Sequence, residues 1–209
     1  MNVLVLLYTM REPRLARAIL TGDIGSTMMT RRATGGMALS EQAGEGKVVL
    51  EPIGLVVSGR KRVEDDYWGS VVSVIQLSDR FTNDVTAGLM EFSHLEVIYF
   101  LNQVSAAAIE TRARHPRNNP SWPLVGIFAQ RPKARPNLLG LSRCRLLQVE
   151  GLTITVEALD AVEGSPVLDI KPYMREYGPI GEVRQPEWAT DVMKNYYRKS
   201  PAAAADANT

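Results

Sequence analysis

The stretch GIFAQRPKARPNLLGLS, residues 126–142, sets Arg131, Lys133 and Arg135 at alternate positions of one loop. Pro132, Pro136 and Asn137 restrict the backbone there, so a turn presents the cations. A planar guanidinium grips a carboxylate or phosphate through two parallel hydrogen bonds. The chemistry to expect is therefore anion binding. The wider segment 111–149 contains no Asp or Glu and eight cations: Arg112, Arg114, Arg117, Arg131, Lys133, Arg135, Arg143 and Arg145. With a net charge of +1 overall, the rest of the chain carries −7. A solvated basic rim is one reading and a surface for phosphate or carboxylate the other. The self-repulsion of unbalanced charge favours the second.

Three further loops hold residue types suited to chemistry. Glu64-Asp65-Asp66-Tyr67-Trp68-Gly69 sets an acidic cluster beside two aromatics. It either holds a cation and stacks a flat ring, or is an exposed turn whose aromatics fold onto the core. Residues 111–123, TRARHPRNNPSWP, form a long polar loop of the kind that is often functional. His115 within it titrates in the range of a general base, although a lone loop histidine is more often simply solvated. In residues 160–173, DAVEGSPVLDIKPY, Glu163-Gly164-Ser165 reads as a turn. Asp169 and Lys171 then share one face of an extended segment, as a structural pair or as a base with its orienter.

Composition narrows the classes. Of 209 residues, 45% are apolar and 22% charged, the range of a globular domain with a real core. One cysteine, Cys144, permits no internal disulfide and fits a reducing cytoplasm. With only His94 and His115 besides, no metal centre is expected. No stretch is long and apolar enough to span a membrane. Residues 2–8, NVLVLLY, lack the positive flank of a signal peptide. There is no Walker loop, G-x-S-x-G elbow, HExxH or CxxC. Gly44-Glu45-Gly46 precedes a strand instead of following one, against a dinucleotide fingerprint.

The elements that must position these loops are mostly strands. Residues 1–46 have no periodic pattern that would join a core. They read as a poorly ordered extension, or as a start assigned too early, with Met37 the real one. Residues 47–183 form the domain. VVLEPIGLVVS, VVSVIQL (71–77), HLEVIYFL (94–101), VGIFA (125–129), LSRCRLLQVEG (141–151), LTITVEALD (152–160) and GSPVLDIKPY read as strands. TNDVTAGLMEF reads as one short helix capped by Thr82 or Asn83. Arg143 and Arg145 share a strand face. Helices scarcely intervene, so the fold class is mainly β, a small single-sheet antiparallel β-barrel with short helices. Residues 184–209 supply a C-terminal helix starting at Pro186, with Trp188, Val192 and Tyr196 as its packing face, and then a tail.

Four motifs stand in order along the chain: EPIGLVVS, EFSHLEVIYFLNQ, GIFAQRPKARPNLLGLSRCRLLQVEG and LDAVEGSPVLDIKPY. Together they resemble the TsaA-like or TrmO family of tRNA methyltransferases, from about Val49 to about Tyr173. The resemblance implies a homodimeric β-barrel with S-adenosyl-L-methionine as cofactor. It implies methylation of an adenosine beside the anticodon, at an N6 that already carries a threonylcarbamoyl group. It also implies that Asn102, Gln103, Arg131, Leu141 and the turn of Asp160, Ala161, Val162 and Gly164 line the cofactor site. Asp66, Trp68 and Gly69 join them by position, because Arg60–Gly69 replaces the family's Pro-Arg-Gln-Pro-Gly type of loop. The family's RPNPIG reads Arg135-Pro136-Asn137-Leu138-Leu139-Gly140 here.

Lys133, Arg135, Asn137 and Lys171 would then face an anionic substrate, either tRNA or a small molecule. A carbamoylated N6–H is more acidic than a plain adenine amine, so a modest base suffices. Asp169 and Tyr173 are the candidates, with purely structural roles as the alternative. Positioning of the two reactants supplies up to about 7–11 kcal/mol of such a barrier. Methylation of a metabolite, or cofactor binding without catalysis, are the competing readings.

Overall fold

The computed structural model describes residues 48–198. The expectations for residues 1–46 and for the tail from Pro201 lie outside them. The chain divides into two units, Met1–Glu51 and Pro52–Thr209, and the barrel belongs to the second.

Six antiparallel strands close into this barrel. They are β1 (Gly54–Ser58), β2 (Val72–Leu77), β3 (His94–Phe100), β6 (Leu139–Glu150), β7 (Thr153–Glu157) and β8 (Pro166–Pro172), in the ring order β1-β2-β7-β6-β3-β8. Two-residue strands β4 (Ala113–Arg114) and β5 (Val125–Gly126) form a separate ribbon in the long connection between β3 and β6. The mainly β barrel expected from the strand pattern is the fold.

Alternation along each strand explains the closure. In β3, Leu95, Val97 and Tyr99 are buried while Glu96 and Ile98 are not; in β7, Ile154 and Val156 are buried. With Val56, Ile75, Cys144 and Val167 these inward residues fill the barrel. Register shifts interrupt β1 between Val56 and Ser58, β6 between Leu146 and Gln148, and β8 between Val167 and Asp169, opposite Ile98 and Tyr99. Such bulges bend strands and increase their twist, which short strands need in order to close a ring. Arg143 and Arg145 do share the outward face of β6.

Two local expectations are corrected. Residues 125–129 give only a two-residue strand, after which Ile127–Ala129 turns as a 3-10 helix. The buried Gln130 amide donates to the carbonyls of Arg114 and Val125, 2.8 Å each, and so pins the ribbon where it ends. The single helix expected around residues 82–92 is two 3-10 turns, Asn83–Thr86 and Leu89–Glu91, parted by Gly88 at φ 77°. Thr82 caps no backbone N–H, because its hydroxyl bonds the Asp84 carboxylate instead. The C-terminal helix α1 (Glu187–Met193) begins after Pro186, with Trp188 and Val192 half-buried as expected; Tyr196, expected on the same helical face, is half-buried in the turn beyond the helix.

Candidate functional site

One end of the barrel gathers the loop after β3, the start of β6 and the β7–β8 turn. Tyr99 points inward near the end of β3, directly opposite Gly140 of β6. A Cβ on Gly140 would lie 2.2 Å from the tyrosine ring, so the glycine makes room for it. The Tyr99 hydroxyl reaches Asp160 and lies 2.9 Å from both its carbonyl oxygen and its carboxylate Oδ1. The Asp160 amide donates to Ser142 Oγ at 3.3 Å. Asn102 donates its side-chain amide to the Gly164 carbonyl at 3.0 Å, and Arg131 donates to the Leu141 carbonyl at 2.9 Å.

Asn102, Arg131, Leu141, Asp160 and Gly164 therefore meet at one rim. Gln103 is exposed beside Asn102, whereas Ala161 and Val162 are buried beneath the turn. Gly164 has φ 85° and open space where a Cβ would stand, which leaves its backbone open to close approach.

The loop from Arg60 to Gly69 is tied to this rim. The Arg60 carbonyl accepts from the Glu163 amide at 2.9 Å. The Arg60 guanidinium donates to the Asp66 carbonyl at 2.7 Å and lies 4.2 Å over the Trp68 ring. Trp68 is 3% exposed. Its face is taken by an arginine, so it braces the rim instead of offering a free ring. The cation that Asp66 holds is Arg117, through two bonds of 2.7 Å.

The cationic segment is largely neutralised by acids from elsewhere. Arg112, Arg117, Lys133, Arg143 and Arg145 pair with Glu110, Asp66, Asp65, Glu96 and Glu157. Lys133 thus has an acid 3.4 Å away, although none is near it in sequence. Exposed pairs of this kind contribute at most about 1 kcal/mol each. Among the described residues, Arg114, Arg131 and Arg135 form no such ion pair. Arg114 Nε is buried without a partner, and Arg135 braces its own loop through the Gln130 carbonyl at 3.3 Å. Arg131 is exposed at the rim. Asn137 is exposed too, and it is the buried Leu138 that takes the left-handed conformation, φ 51°.

The segment after α1 crosses the same rim, which the sequence did not foretell. The amides of Tyr67 and Trp68 donate to the carbonyls of Asn195 and Tyr196, at 3.1 and 2.7 Å. Arg117 also reaches the Val192 carbonyl at 2.9 Å. The Tyr196 hydroxyl bonds the second carboxylate oxygen of Asp160. A Cβ on Gly69 would lie 1.8 Å from the Tyr197 carbonyl oxygen. Burial first, then the Asp160 charge, holds the Tyr99 and Tyr196 phenols well above the ordinary tyrosine range. Both remain protonated donors.

The other candidates lie apart. Asp169 and Lys171 bond each other on the outward face of β8, opposite Ile98 and Glu96. That bond, first of all, raises the Lys171 pKa. The Tyr173 amide bonds the His94 carbonyl, so Tyr173 sits at the far end of β3 from Tyr99. At the rise of a strand, that is about 15 Å away. Its ring lies under Arg143, 4.7 Å from the guanidinium carbon. With Phe92, Ser93 and His94 it borders a cleft of about 490 Å³. His115 is half-buried and bonded to the Trp122 carbonyl at 2.6 Å, a structural tie. No cluster of three potential metal ligands occurs among the described residues. Among them, too, no helix is long and apolar enough to cross a membrane.

Comparison with known proteins gives these positions a context. The family model of the tRNA-methyltransferase O N-terminal domain matches residues 64–178. A tRNA (adenine(37)-N6)-methyltransferase of Homo sapiens is 31% identical over 122 residues, covering 58% of this chain and 27% of that protein. An S-adenosyl-L-methionine-binding protein of Archaeoglobus fulgidus is 30% identical over 146 residues, covering 65% of this chain and 96% of its own length. The chain thus spans about a quarter of the first relative and nearly all of the second. A crystal structure of TrmO from Pseudomonas aeruginosa superposes with a TM-score of 0.51 at 25% identity, over 65% of this chain and 60% of that one. The matched stretch runs from the Glu64–Gly69 loop through the whole Asp160–Tyr173 motif, and on that ground the chain belongs to the family of the tRNA-methyltransferase O N-terminal domain.

Proposed function

We propose that this chain is an S-adenosylmethionine-dependent methyltransferase whose substrate is a modified adenosine in tRNA, methylated at N6. The observation that carries the reading is the convergence of Asn102, Arg131, Leu141, Asp160 and Gly164 on one rim. These residues fit such a cofactor. Arg131 is an exposed guanidinium suited to its carboxylate, and Leu141, 41% exposed, is an apolar surface for a flat base. The open backbone at Gly164 admits close contact, and Asp160 takes hydroxyl donors, as its tyrosine partners do. Gln103, Ala161 and Val162 belong to the same wall. Asp66, Trp68 and Gly69 support it from behind. Bound there, the cofactor supplies an electrophilic methyl group on a sulfonium.

In this reading Lys133, Arg135 and Asn137 meet the substrate beside Arg131, Lys171 would do so only from β8, away from that rim, and either Asp169 or Tyr173, not both, accepts the proton. The register favours Asp169, which stands closer along β8 to the Asp160–Gly164 turn than Tyr173 does. A homodimer in the cytoplasm is part of the proposal. Leu55, Val57 and Val72, each about half exposed on β1 and β2, offer apolar area for a second copy.

Calorimetric titration with S-adenosylmethionine, followed by incubation with tRNA and mass spectrometry of nuclease digests, tests the whole reading. Binding and one added methyl on adenosine are expected. Binding without transfer would leave a cofactor-binding module, as the name of the Archaeoglobus relative suggests. Asp169→Asn and Tyr173→Phe test the base: unchanged turnover would return both to structural roles. A small anionic substrate is the second reading, favoured by the internal pairing of five of the eight cations. Substrate affinity that falls steeply with salt supports RNA, because phosphate contacts release counterions.

A further inference from the structure

We propose that the C-terminal segment 186–198 is a strap that closes the cofactor rim and must release before the cofactor binds, a step that rests on the function proposed above. The Tyr196 hydroxyl occupies one carboxylate oxygen of Asp160 while Tyr99 holds the other. No acceptor atom of that carboxylate is left without a donor. The strap also covers the loop that replaces the family's early cofactor loop. The Tyr67 and Trp68 amides are spent on it, and Gly69 lies against the Tyr197 carbonyl. Tyr196 thus fills with its own hydroxyl a carboxylate oxygen that would otherwise be open to a ligand's donor at this rim.

The attachment is of a kind that opens. Two backbone hydrogen bonds, the Tyr196 phenol at Asp160, the Tyr197 phenol at Ser142 and the Arg117 contact to the Val192 carbonyl hold it. No residue from Pro186 to Arg198 is fully buried, and α1 is only seven residues long. A helix that short is marginal alone, and segments with little apolar burial open at low free-energy cost. The barrel beneath owes it no core residue, since the core cluster ends at Val167 and Ile170.

Hydrogen exchange of the full chain, with and without S-adenosylmethionine, tests this directly. Ligand should speed exchange at the Tyr67 and Trp68 amides and through residues 195–198. Tyr196→Phe keeps the ring and removes the hydroxyl, and should bind S-adenosylmethionine about tenfold more tightly. The double variant Tyr196→Ala/Tyr197→Ala should do at least as much, with circular dichroism checking that each variant folds. Ligand that slows exchange at these amides, or weaker binding by Tyr196→Phe, overturns the proposal and makes the strap a wall of the site. Equal binding by all forms with unchanged exchange overturns the strap alone. Absence of binding by every folded form removes the cofactor reading, and the strap with it.

Discussion

Tyr99 and Gly140 face each other across β3 and β6, and the tyrosine ring lies where the glycine has no side chain. Gly140→Ala would drive a methyl into that ring and pull the hydroxyl from Asp160. Overpacking in a filled core costs about 1–3 kcal/mol, and a lost hydrogen bond about 1 more. Urea unfolding should show Gly140→Ala less stable by about 2–4 kcal/mol, and Tyr99→Phe by less.

The same tyrosines set an alkaline limit on stability. Folding raises the phenol pKa of Tyr99 and of Tyr196, so the folded state favours the protonated form. The stabilisation is fully present below the unfolded tyrosine value of about 10 and is lost as pH rises above it. Melting temperature should therefore fall above about pH 10. In the double variant Tyr99→Phe/Tyr196→Phe that fall should be shallower.

Cys144 is 1% exposed inside the barrel, and burial, with the Asp160 charge second, pushes its thiol up to about 12. A thiolate is the reactive form. The native protein should leave a disulfide reagent unreacted at neutral pH over the time in which the unfolded chain reacts completely. Rapid native labelling would mean that the barrel opens readily.

Arg131 separates binding from stability. Its guanidinium is exposed and its one described bond goes to the Leu141 carbonyl. Arg131→Ala should change unfolding free energy by less than about 0.5 kcal/mol. Affinity for S-adenosylmethionine should drop about tenfold, as expected for a lost charge-assisted contact. A large stability loss instead would make Arg131 a brace for β6.

What the sequence made legible follows from how local each cause is. Strands such as His94–Phe100 and Thr153–Glu157 were readable because the alternation of Leu95, Val97 and Tyr99, or of Ile154 and Val156, records which face is buried. The ordered motifs singled out Asn102, Arg131, Leu141, Asp160 and Gly164, which the fold brings to one rim. The 3-10 turn at Ile127 was not, because Gln130 ends the ribbon by reaching back to Arg114 and Val125. The partners of Lys133 and Arg117 lie 68 and 51 residues away, so charge counting along the chain left both looking unbalanced. The contact of Tyr196 with Asp160 joins groups 36 residues apart and leaves no periodic trace.

The closed ring has one more consequence. Each of its six strands is hydrogen-bonded on both sides, so this sheet presents no free edge to another chain. Register is then held by neighbours on either side and not by the length of any connection. The β3–β6 connection can already carry its own ribbon and three 3-10 turns without disturbing Tyr99 opposite Gly140. The barrel is therefore a chassis that can take further insertions in its connections while the rim residues stay in register.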